Sequence, residues 1–142
     1  MERTILLVED NPDHETLTLR ALKKAGLADP IAVARDGAEA LDYLFGRGRY
    51  CGCGLPKAVL LDLKLPKVDG LEVLQKMRAE ARTKSIPVVV LTSSEEESDL
   101  VSSYKCGANG YIRKPVDFVQ FVEVTRGLGL YWPVDERKPT NK

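Results

Sequence analysis

Short apolar runs alternate with amphipathic stretches along the whole 142-residue chain. Three of the runs are nearly uninterrupted strings of Val, Ile and Leu, which is typical of parallel strands buried on both faces. The runs predict five strands, at residues 4–8, 30–34, 58–61, 87–91 and 110–113. Because amphipathic stretches separate them, the pattern predicts right-handed crossovers and a parallel sheet covered by helices on both sides.

Signals for helix starts and stops lie between the predicted strands. Asn11-Pro12 offers an N-cap followed by a proline at the first helical position, and Gly26 is a natural stop. A helix of about residues 71–80 follows Asp69-Gly70, and residues 46–56 form one long, glycine-rich connection that we expect to be exposed. Capping-box spacing indicates three further starts, at Asp36 with Glu39, Ser94 with Glu97, and Asp117 with Gln120.

Composition limits the possible classes of partner. Lys+Arg and Asp+Glu both number 21, so the net charge is zero and gives no general attraction to nucleic acid or to an anionic membrane. No apolar run approaches the roughly 20 residues that span a bilayer, and the N-terminus lacks the pattern of a secretory signal. We therefore expect a cytoplasmic protein that binds neither nucleic acid nor membranes.

The cysteines and the one histidine do not favour a zinc or redox site. Cys51, Cys53 and Cys106 are odd in number, and only His14 could complete a set of four zinc ligands. We interpret the cysteines as free thiols, with Cys106 the most buried of them. His14 lies in the first turn of a polar helix, and we interpret it as facing solvent.

Polar residues follow four of the five predicted strands. Glu9-Asp10 end the first strand, Asp62 the third, Thr92 the fourth and Lys114 the fifth. The carboxyl ends of parallel strands meet at one edge of the sheet, where open α/β proteins bind their ligands. We therefore expect three carboxylates, a hydroxyl and an ammonium group to lie close together.

Such a group of side chains suits phosphoryl transfer. Clustered carboxylates raise one another's pKa unless a cation neutralises them, and their oxygens suit Mg²⁺. An aspartate in such a site can be the nucleophile that forms an aspartyl-phosphate, while Lys114 and Thr92 contact phosphoryl oxygens. Singly, Asp10 could merely precede a helix cap and Lys114 could be an ordinary loop lysine. Their joint placement at separate strand ends favours the functional interpretation.

The motifs LLVEDN, VLLDLKLPKVDG, VVVLTSS and YIRKP resemble those of the receiver domain of two-component response regulators, in order and spacing, over residues 4–127. The resemblance implies a flavodoxin-like (βα)5 three-layer sandwich whose five-stranded parallel sheet has the order 2-1-3-4-5. It implies that Asp62 accepts a phosphoryl group from a histidine kinase. It also implies that Glu9, Asp10, Asp62 and the backbone carbonyl of Lys64 bind Mg²⁺.

The same resemblance assigns a switch. Thr92, Ser93 and Lys114 would bind the phosphoryl oxygens, and Tyr111 would change rotamer and alter the surface of the fourth helix, fifth strand and fifth helix. Tyr104 and Tyr111 are the candidates for the surface read by a target. The Lys114–Pro115 bond is cis in that family. We hypothesise that Lys64 and Ser94 set the lifetime of the phosphorylated state, since both flank the path of an attacking water.

A narrower resemblance concerns the kinase. DGAEALDYLFGRGRY, the connection at 46–56, KPVDF and LGLYW resemble small regulators of bacterial phytochromes, which are light-sensing histidine kinases. This implies a phytochrome partner and a homodimer through the fourth helix, fifth strand, fifth helix and C-terminal extension. We predict a receiver domain at 1–129 and an extension at 130–142. We expect no enzyme activity beyond phosphoryl uptake and slow autodephosphorylation.

Three other functions remain open. A flavin binder of the same strand order would need a glycine- and hydroxyl-rich phosphate loop after the first strand, where Glu9-Asp10-Asn11 would repel phosphate. A phosphatase with an aspartyl-phosphate intermediate would need a second aspartate two residues after Asp62, where Lys64 stands. A receiver-like interaction module that is not controlled by phosphorylation is disfavoured by the complete set of site residues.

Overall fold

The computed structural model describes residues 4–26, 30–50, 52, 54–63, 65, 67–92, 105–114 and 118–127. Its five strands are parallel and form one sheet of order β2-β1-β3-β4-β5. The predicted flavodoxin-like order is therefore confirmed. The strands are β1 (Ile5–Val8), β2 (Ile31–Ala34), β3 (Ala58–Asp62), β4 (Val88–Thr92) and β5 (Gly110–Arg113).

The described residues include four α-helices. These are α1 (Pro12–Lys24), α2 (Gly37–Leu44), α3 (Gly70–Ala79) and the last helix (Phe118–Gly127). The predicted fourth helix and its start at Ser94 lie outside the described residues, as do Asp117 and the extension at 130–142. None of the described helices is long and apolar enough to cross a membrane.

The strand boundaries differ from the predicted ones by single residues. The residues just before three of the strands are Thr4, Pro30 and Pro87. Their carbonyl oxygens accept hydrogen bonds of 2.7–2.9 Å from backbone nitrogens in or beside the neighbouring strand. Proline has no N–H to donate in return, so Pro30 and Pro87 are not part of β2 and β4. The prediction placed the starts of these two strands one residue too early. At the other end, Asp62 and Thr92 are still within β3 and β4.

The predicted helix caps at Asn11 and Asp36 are present, whereas those at Ser94 and Asp117 lie outside the described residues. Asn11 Oδ1 accepts hydrogen bonds from the backbone nitrogens of Asp13 and His14, at 2.9 and 3.2 Å. Asp36 Oδ1 accepts from the Glu39 backbone at 2.7 Å. The Glu39 carboxylate, however, accepts from the backbone nitrogen of Arg35 at 2.9 Å, one residue before the cap. Glu39 thereby ties the end of β2 to the start of α2.

The sheet separates the apolar side chains into two buried clusters. One face is covered by α2 and α3, and its buried strand residues are Leu6, Val8, Ala34, Val59, Leu61, Val88 and Val90. The other face is covered by α1 and the last helix, and its strand residues are Ile5, Leu7, Ala58, Leu60, Val89, Leu91 and Ile112. Successive side chains of a strand point to opposite faces, which is why these strands read as continuous apolar runs.

The long connection at 46–56 is only partly exposed. Gly48, Gly52 and Gly54 are exposed, but Tyr50 and Leu55 pack against the core. A short 3-10 helix (Gly48–Tyr50) brings the Tyr50 ring to 5.2 Å from that of Tyr43, and the Tyr50 hydroxyl donates a hydrogen bond to Glu39. The expectation of a simply exposed loop was therefore wrong in this part, because an aromatic side chain anchors it.

Candidate functional site

Three carboxylates meet at the carboxyl edge of the sheet. Glu9 and Asp10 follow β1, Asp62 ends β3, and these two strands are hydrogen-bonded neighbours. One carboxylate oxygen of each residue lies within 4.8 Å of those of the other two. Glu9 and Asp62 are buried, whereas Asp10 is exposed. The predicted convergence of these three residues is therefore present.

Lys114 closes the site from the far side. It follows β5, and its side chain spans the end of β4 to reach β3 and β1. Its Nζ donates a hydrogen bond of 2.8 Å to Asp62 Oδ2 and forms an ion pair with Glu9 Oε1. Its side chain is only 6% exposed. The ammonium group is thus held directly at the carboxyl group predicted to take the phosphoryl group.

Burial dominates the electrostatics of Glu9. Removal from water raises the pKa of this carboxyl group to about 7; the hydrogen bond from Lys114 opposes the shift, and the negative charge of Asp62 adds to it. Glu9 and Asp62 share the one ammonium group of Lys114, and the Asp10 carboxylate lies beside them, so a further cation would be stabilised. The donor set is all oxygen, which fits Mg²⁺ or a similar hard divalent ion at Glu9, Asp10 and Asp62.

Glycines allow the backbone around Asp62 to pack closely. Gly70 begins α3, and its backbone nitrogen donates to the Leu63 oxygen at 3.1 Å. A Cβ atom on Gly70 would lie 2.3 Å from the backbone oxygen of Asp62, and one on Gly37 would lie 1.8 Å from that of Val68. Both glycines therefore let neighbouring backbone pack closely against the two ends of the connection between β3 and α3.

The remaining predicted site residues are described only in part. Thr92 ends β4, and in the sheet register it lies beside Arg113, one residue before Lys114. Its side chain lies outside the described part, as do the following predicted residues: Lys64, Ser93, Ser94, Tyr104 and Pro115. Tyr111 is half-buried and packs against the cluster under α2 and α3. Phe121 is fully buried, as expected for a core position.

His14 belongs to this site, so the expectation that it simply faces solvent was wrong. Its side chain is 39% exposed, but Nδ1 lies 3.2 Å from Lys114 Nζ and 3.9 Å from Glu9 Oε2. The signal in the sequence is its position in the first helical turn after β1. Helices that follow strands in such a sheet begin at the carboxyl edge, so their first turn borders the site.

The cysteine interpretation is only partly open to test. Cys106 is a free, half-buried thiol, and Gln75 Nε2 lies 3.5 Å from its sulfur. Cys51 and Cys53 lie outside the described residues. Cys106 stands apart from the three carboxylates, so it contributes nothing to their chemistry.

The comparison with known families decides what this site belongs to. The model of the response regulator receiver domain matches residues 5–126. The chain belongs to this family. Receiver domains take phosphoryl groups from histidine kinases and bind a divalent cation at an acidic pocket. The phosphoacceptor function is thereby favoured over an interaction module that is not controlled by phosphorylation.

Three proteins show how similar the relatives are. The probable methanogenesis regulatory protein FilR2 of Methanothrix harundinacea is 44% identical over 138 residues, which are 95% of this chain and 86% of FilR2. The bacteriophytochrome response regulator AtBRR is 54% identical, with a TM-score of 0.86 over 96% of this chain and 99% of AtBRR.

The third relative was solved with a metal ion. Response regulator Rcp1 of Synechocystis sp. is 36% identical over 130 residues, covering 92% of this chain and 88% of Rcp1. The crystal structure of its Mn²⁺-bound form is 34% identical with a TM-score of 0.77, and covers 93% of this chain and 99% of the solved one. The identity with AtBRR confirms the resemblance to phytochrome response regulators.

Proposed function

We propose that Asp62 is the phosphoacceptor of this receiver domain. The observation that carries the proposal is the position of its carboxyl group, which Lys114 contacts at 2.8 Å beside the carboxylates of Glu9 and Asp10. A carboxylate oxygen of Asp62 forms the bond to phosphorus. The bond from phosphorus to the imidazole nitrogen of the kinase phosphohistidine breaks, and the imidazole leaves with the electron pair.

Mg²⁺ is the cation that we assign to the site. Glu9, Asp10, Asp62 and the backbone carbonyl of Lys64 would hold it, and it would neutralise charge on the transferring phosphoryl group. The support is the set of three carboxylates within ligand distance of one another. The Mn²⁺-bound form of Rcp1 supports a divalent cation, because it shows that a relative binds one. Lys114 supplies the second positive charge.

The phosphoryl group is read by residues at the ends of β4 and β5. Thr92, Ser93 and Lys114 contact its oxygens in this proposal, and Tyr111 changes rotamer in response. Tyr111 suits this role because it is half-buried, with the β4 residue Val90 beside it in the register. The affected surface comprises the fourth helix, β5 and the last helix, which can present it to a target or to a second copy of this chain.

Residues that flank the site set the lifetime of the signal. In this proposal Lys64 and Ser94, which follow Asp62 and Thr92 by two residues in the sequence, control the access of a water that attacks the phosphoryl group. The domain acts on no outside substrate. Replacing Lys64 by Asn should change the rate of dephosphorylation, which is followed after removal of the phosphodonor. Lys57→Asn, at the opposite end of β3, is the matched control. An unchanged rate in Lys64→Asn would count against the role of Lys64.

A bacterial phytochrome is the kinase that we propose. Its support is the 54% identity with the bacteriophytochrome response regulator AtBRR over nearly the whole of both chains. Phosphate transfer from a purified phytochrome kinase should be faster than from an unrelated histidine kinase at equal concentrations. Equal rates from both kinases would argue against this partner. A cytoplasmic location accompanies this proposal, as does a homodimer through the fourth helix, β5, the last helix and the extension at 130–142.

One labelling experiment tests the phosphoacceptor directly. The full chain is incubated with acetyl phosphate and Mg²⁺, and the modified residue is located by mass spectrometry. We expect one acid-labile phosphoryl group in the wild type and none in Asp62→Asn. Asp42→Asn is the matched control, since Asp42 is a half-exposed carboxylate in α2. Labelling that persists in Asp62→Asn, or that is stable to acid, would refute the assignment.

A further inference from the structure

Three side chains surround the ammonium group of Lys114. Asp62 accepts a hydrogen bond from Nζ, Glu9 forms an ion pair with it, and His14 Nδ1 lies 3.2 Å away. An ammonium group has three N–H donors, and this one is almost completely buried. The three neighbours therefore offer one acceptor to each of its three donors, and His14 is the one that is not a carboxylate.

The cap of α1 determines where His14 lies along the chain. Its backbone nitrogen donates to Asn11 Oδ1 at 3.2 Å, so the cap of α1 holds this residue in the first helical turn. From there the imidazole Nδ1 lies 3.2 Å from Lys114 Nζ. Nδ1 faces an ammonium group that can only donate, so Nδ1 must be the acceptor and carries no proton in this contact. An accepting Nδ1 leaves the other ring nitrogen, Nε2, as the donor.

His14 differs from Glu9 and Asp62 because it is not among the proposed cation ligands. The two carboxylates are also cation ligands in the function proposed above, so a bound divalent ion shares them with Lys114. The imidazole is outside the cluster of three carboxylates that are within 4.8 Å of one another. It can thus keep one N–H of Lys114 oriented while the other two face the carboxyl group and the phosphoryl oxygens.

We infer that His14 is a positioning residue, whose Nδ1 holds the Lys114 ammonium group in place at the carboxyl group of Asp62. The inference rests on the proposed phosphoacceptor role of Asp62. His14 forms no bond to phosphorus and takes no proton in the reaction. It acts through Lys114, by limiting the positions that a long and flexible side chain can occupy when the phosphodonor arrives.

The contact itself can be measured without any phosphorylation. The chain has one histidine, so ¹⁵N-labelled histidine gives imidazole signals from a single residue. In the metal-free full chain we expect a proton on Nε2 and an Nδ1 signal shifted by hydrogen bonding. Lys114→Met should move the Nδ1 signal to that of an exposed histidine. Protons on both nitrogens at neutral pH, or signals unchanged in Lys114→Met, would overturn the inference.

Two substitutions separate the hydrogen bond from the bulk of the ring. His14→Leu keeps a side chain of similar size without an acceptor, whereas His14→Asn places an amide oxygen near the position of Nδ1. We expect His14→Leu to take up the phosphoryl group from acetyl phosphate about tenfold more slowly, as expected for one lost hydrogen bond to a charged group. His14→Asn should retain most of the wild-type rate.

The affinity for Mg²⁺, measured by calorimetry, identifies the competing explanation. We expect the same dissociation constant in the wild type and His14→Leu, and a dissociation constant raised about tenfold would show that His14 is a cation ligand instead. Equal phosphorylation rates in wild type and His14→Leu, with Asp62 labelled in both, would overturn the role of His14 but not that of Asp62. Absence of Asp62 labelling in the wild type would instead refute the proposed function on which it rests.

Discussion

Gly70 lies so close to Asp62 that a Cβ atom on the glycine would be 2.3 Å from the aspartate's backbone oxygen. The first turn of α3 therefore packs directly on the end of β3. This contact couples the position of a helix to the position of the phosphoacceptor. A side chain of any size at residue 70 must move one of the two.

We expect Gly70→Ala to destabilise the domain and slow its phosphorylation. Alanine ordinarily stabilises a helix relative to glycine, but here its methyl group overlaps backbone, which costs about 1–3 kcal/mol. The free energy of unfolding is measured by urea denaturation and the phosphorylation rate with acetyl phosphate. Glu72→Ala, at a half-exposed position two residues later in α3, is the control. A Gly70→Ala variant as stable and as active as this control would contradict the packing described.

Arg78 is expected to stabilise the chain segments that precede β4 and β5. Its guanidinium donates two hydrogen bonds to Gly107 O, one to Asn109 Oδ1 and one each to the backbone oxygens of Lys84 and Ile86, at 2.7–3.1 Å. Its partial burial lowers the pKa of the guanidinium. Because lysine cannot reproduce this fork, Arg78→Lys should lower the free energy of unfolding by about 2 kcal/mol.

Arg82→Lys is the matched control for Arg78→Lys. Arg82 donates one hydrogen bond from Nε, to the backbone oxygen of Leu44 at 3.1 Å. We expect its replacement to cost less than about 1 kcal/mol, in the same denaturation experiment. Equal losses in the two variants would show that the hydrogen bonds of Arg78 do not stabilise the turn before β5.

The sequence predicted the sheet because its strands carry a strong signal. Uninterrupted apolar runs, such as that of β1, arise only where both faces are covered, and Asn11 and Asp36 mark helix starts by local hydrogen bonding that needs no tertiary context. The carboxylate cluster was also predictable, since Glu9 and Asp62 directly follow apolar runs of parallel strands. The end of a strand fixes where its next side chain lies.

The sequence did not predict contacts that depend on the angle of a helix or on backbone partners. His14 is three residues into α1, and whether it faces solvent or Lys114 depends on how α1 leaves β1. Arg78 bonds mainly to backbone oxygens, which every residue carries, so no sequence pattern marks its partners. The sequence also did not predict the Tyr50–Glu39 hydrogen bond, because packing determines the path of a glycine-rich connection.

Mg²⁺ is expected to stabilise the folded domain. An ion that binds only the folded chain raises the free energy of unfolding, by about 2.7 kcal/mol at a concentration of a hundred times its dissociation constant. Removing the ion with a chelator should reverse the gain. Asp10→Asn removes an exposed carboxylate of the cluster and should reduce it, whereas Asp13→Asn, three residues on, should not. Full stabilisation by Mg²⁺ in Asp10→Asn would place the ion elsewhere.

The affinity for Mg²⁺ should depend on pH through Glu9. Burial raises the pKa of this carboxyl group to about 7 in the absence of a metal ion, and its neighbours are Asp62, Lys114 and His14. Below that pH the ion must displace a proton, so its affinity should fall by up to about tenfold for each pH unit. Above it, Glu9 is already ionised and the affinity should level off.

The raised pKa also sets the sign of the effect on stability without the ion. Glu9 binds its proton more tightly in the folded chain than in the unfolded one. The tighter binding of this proton adds to the free energy of unfolding. This gain is fully present below a pH of about 4.5 and is lost as the pH rises through about 7. Glu9→Gln cannot titrate, so subtracting its unfolding free energy from that of the wild type isolates this effect. A difference that stays constant over this range, together with a pH-independent Mg²⁺ affinity, would show that Glu9 is ionised throughout and that Lys114 outweighs its burial.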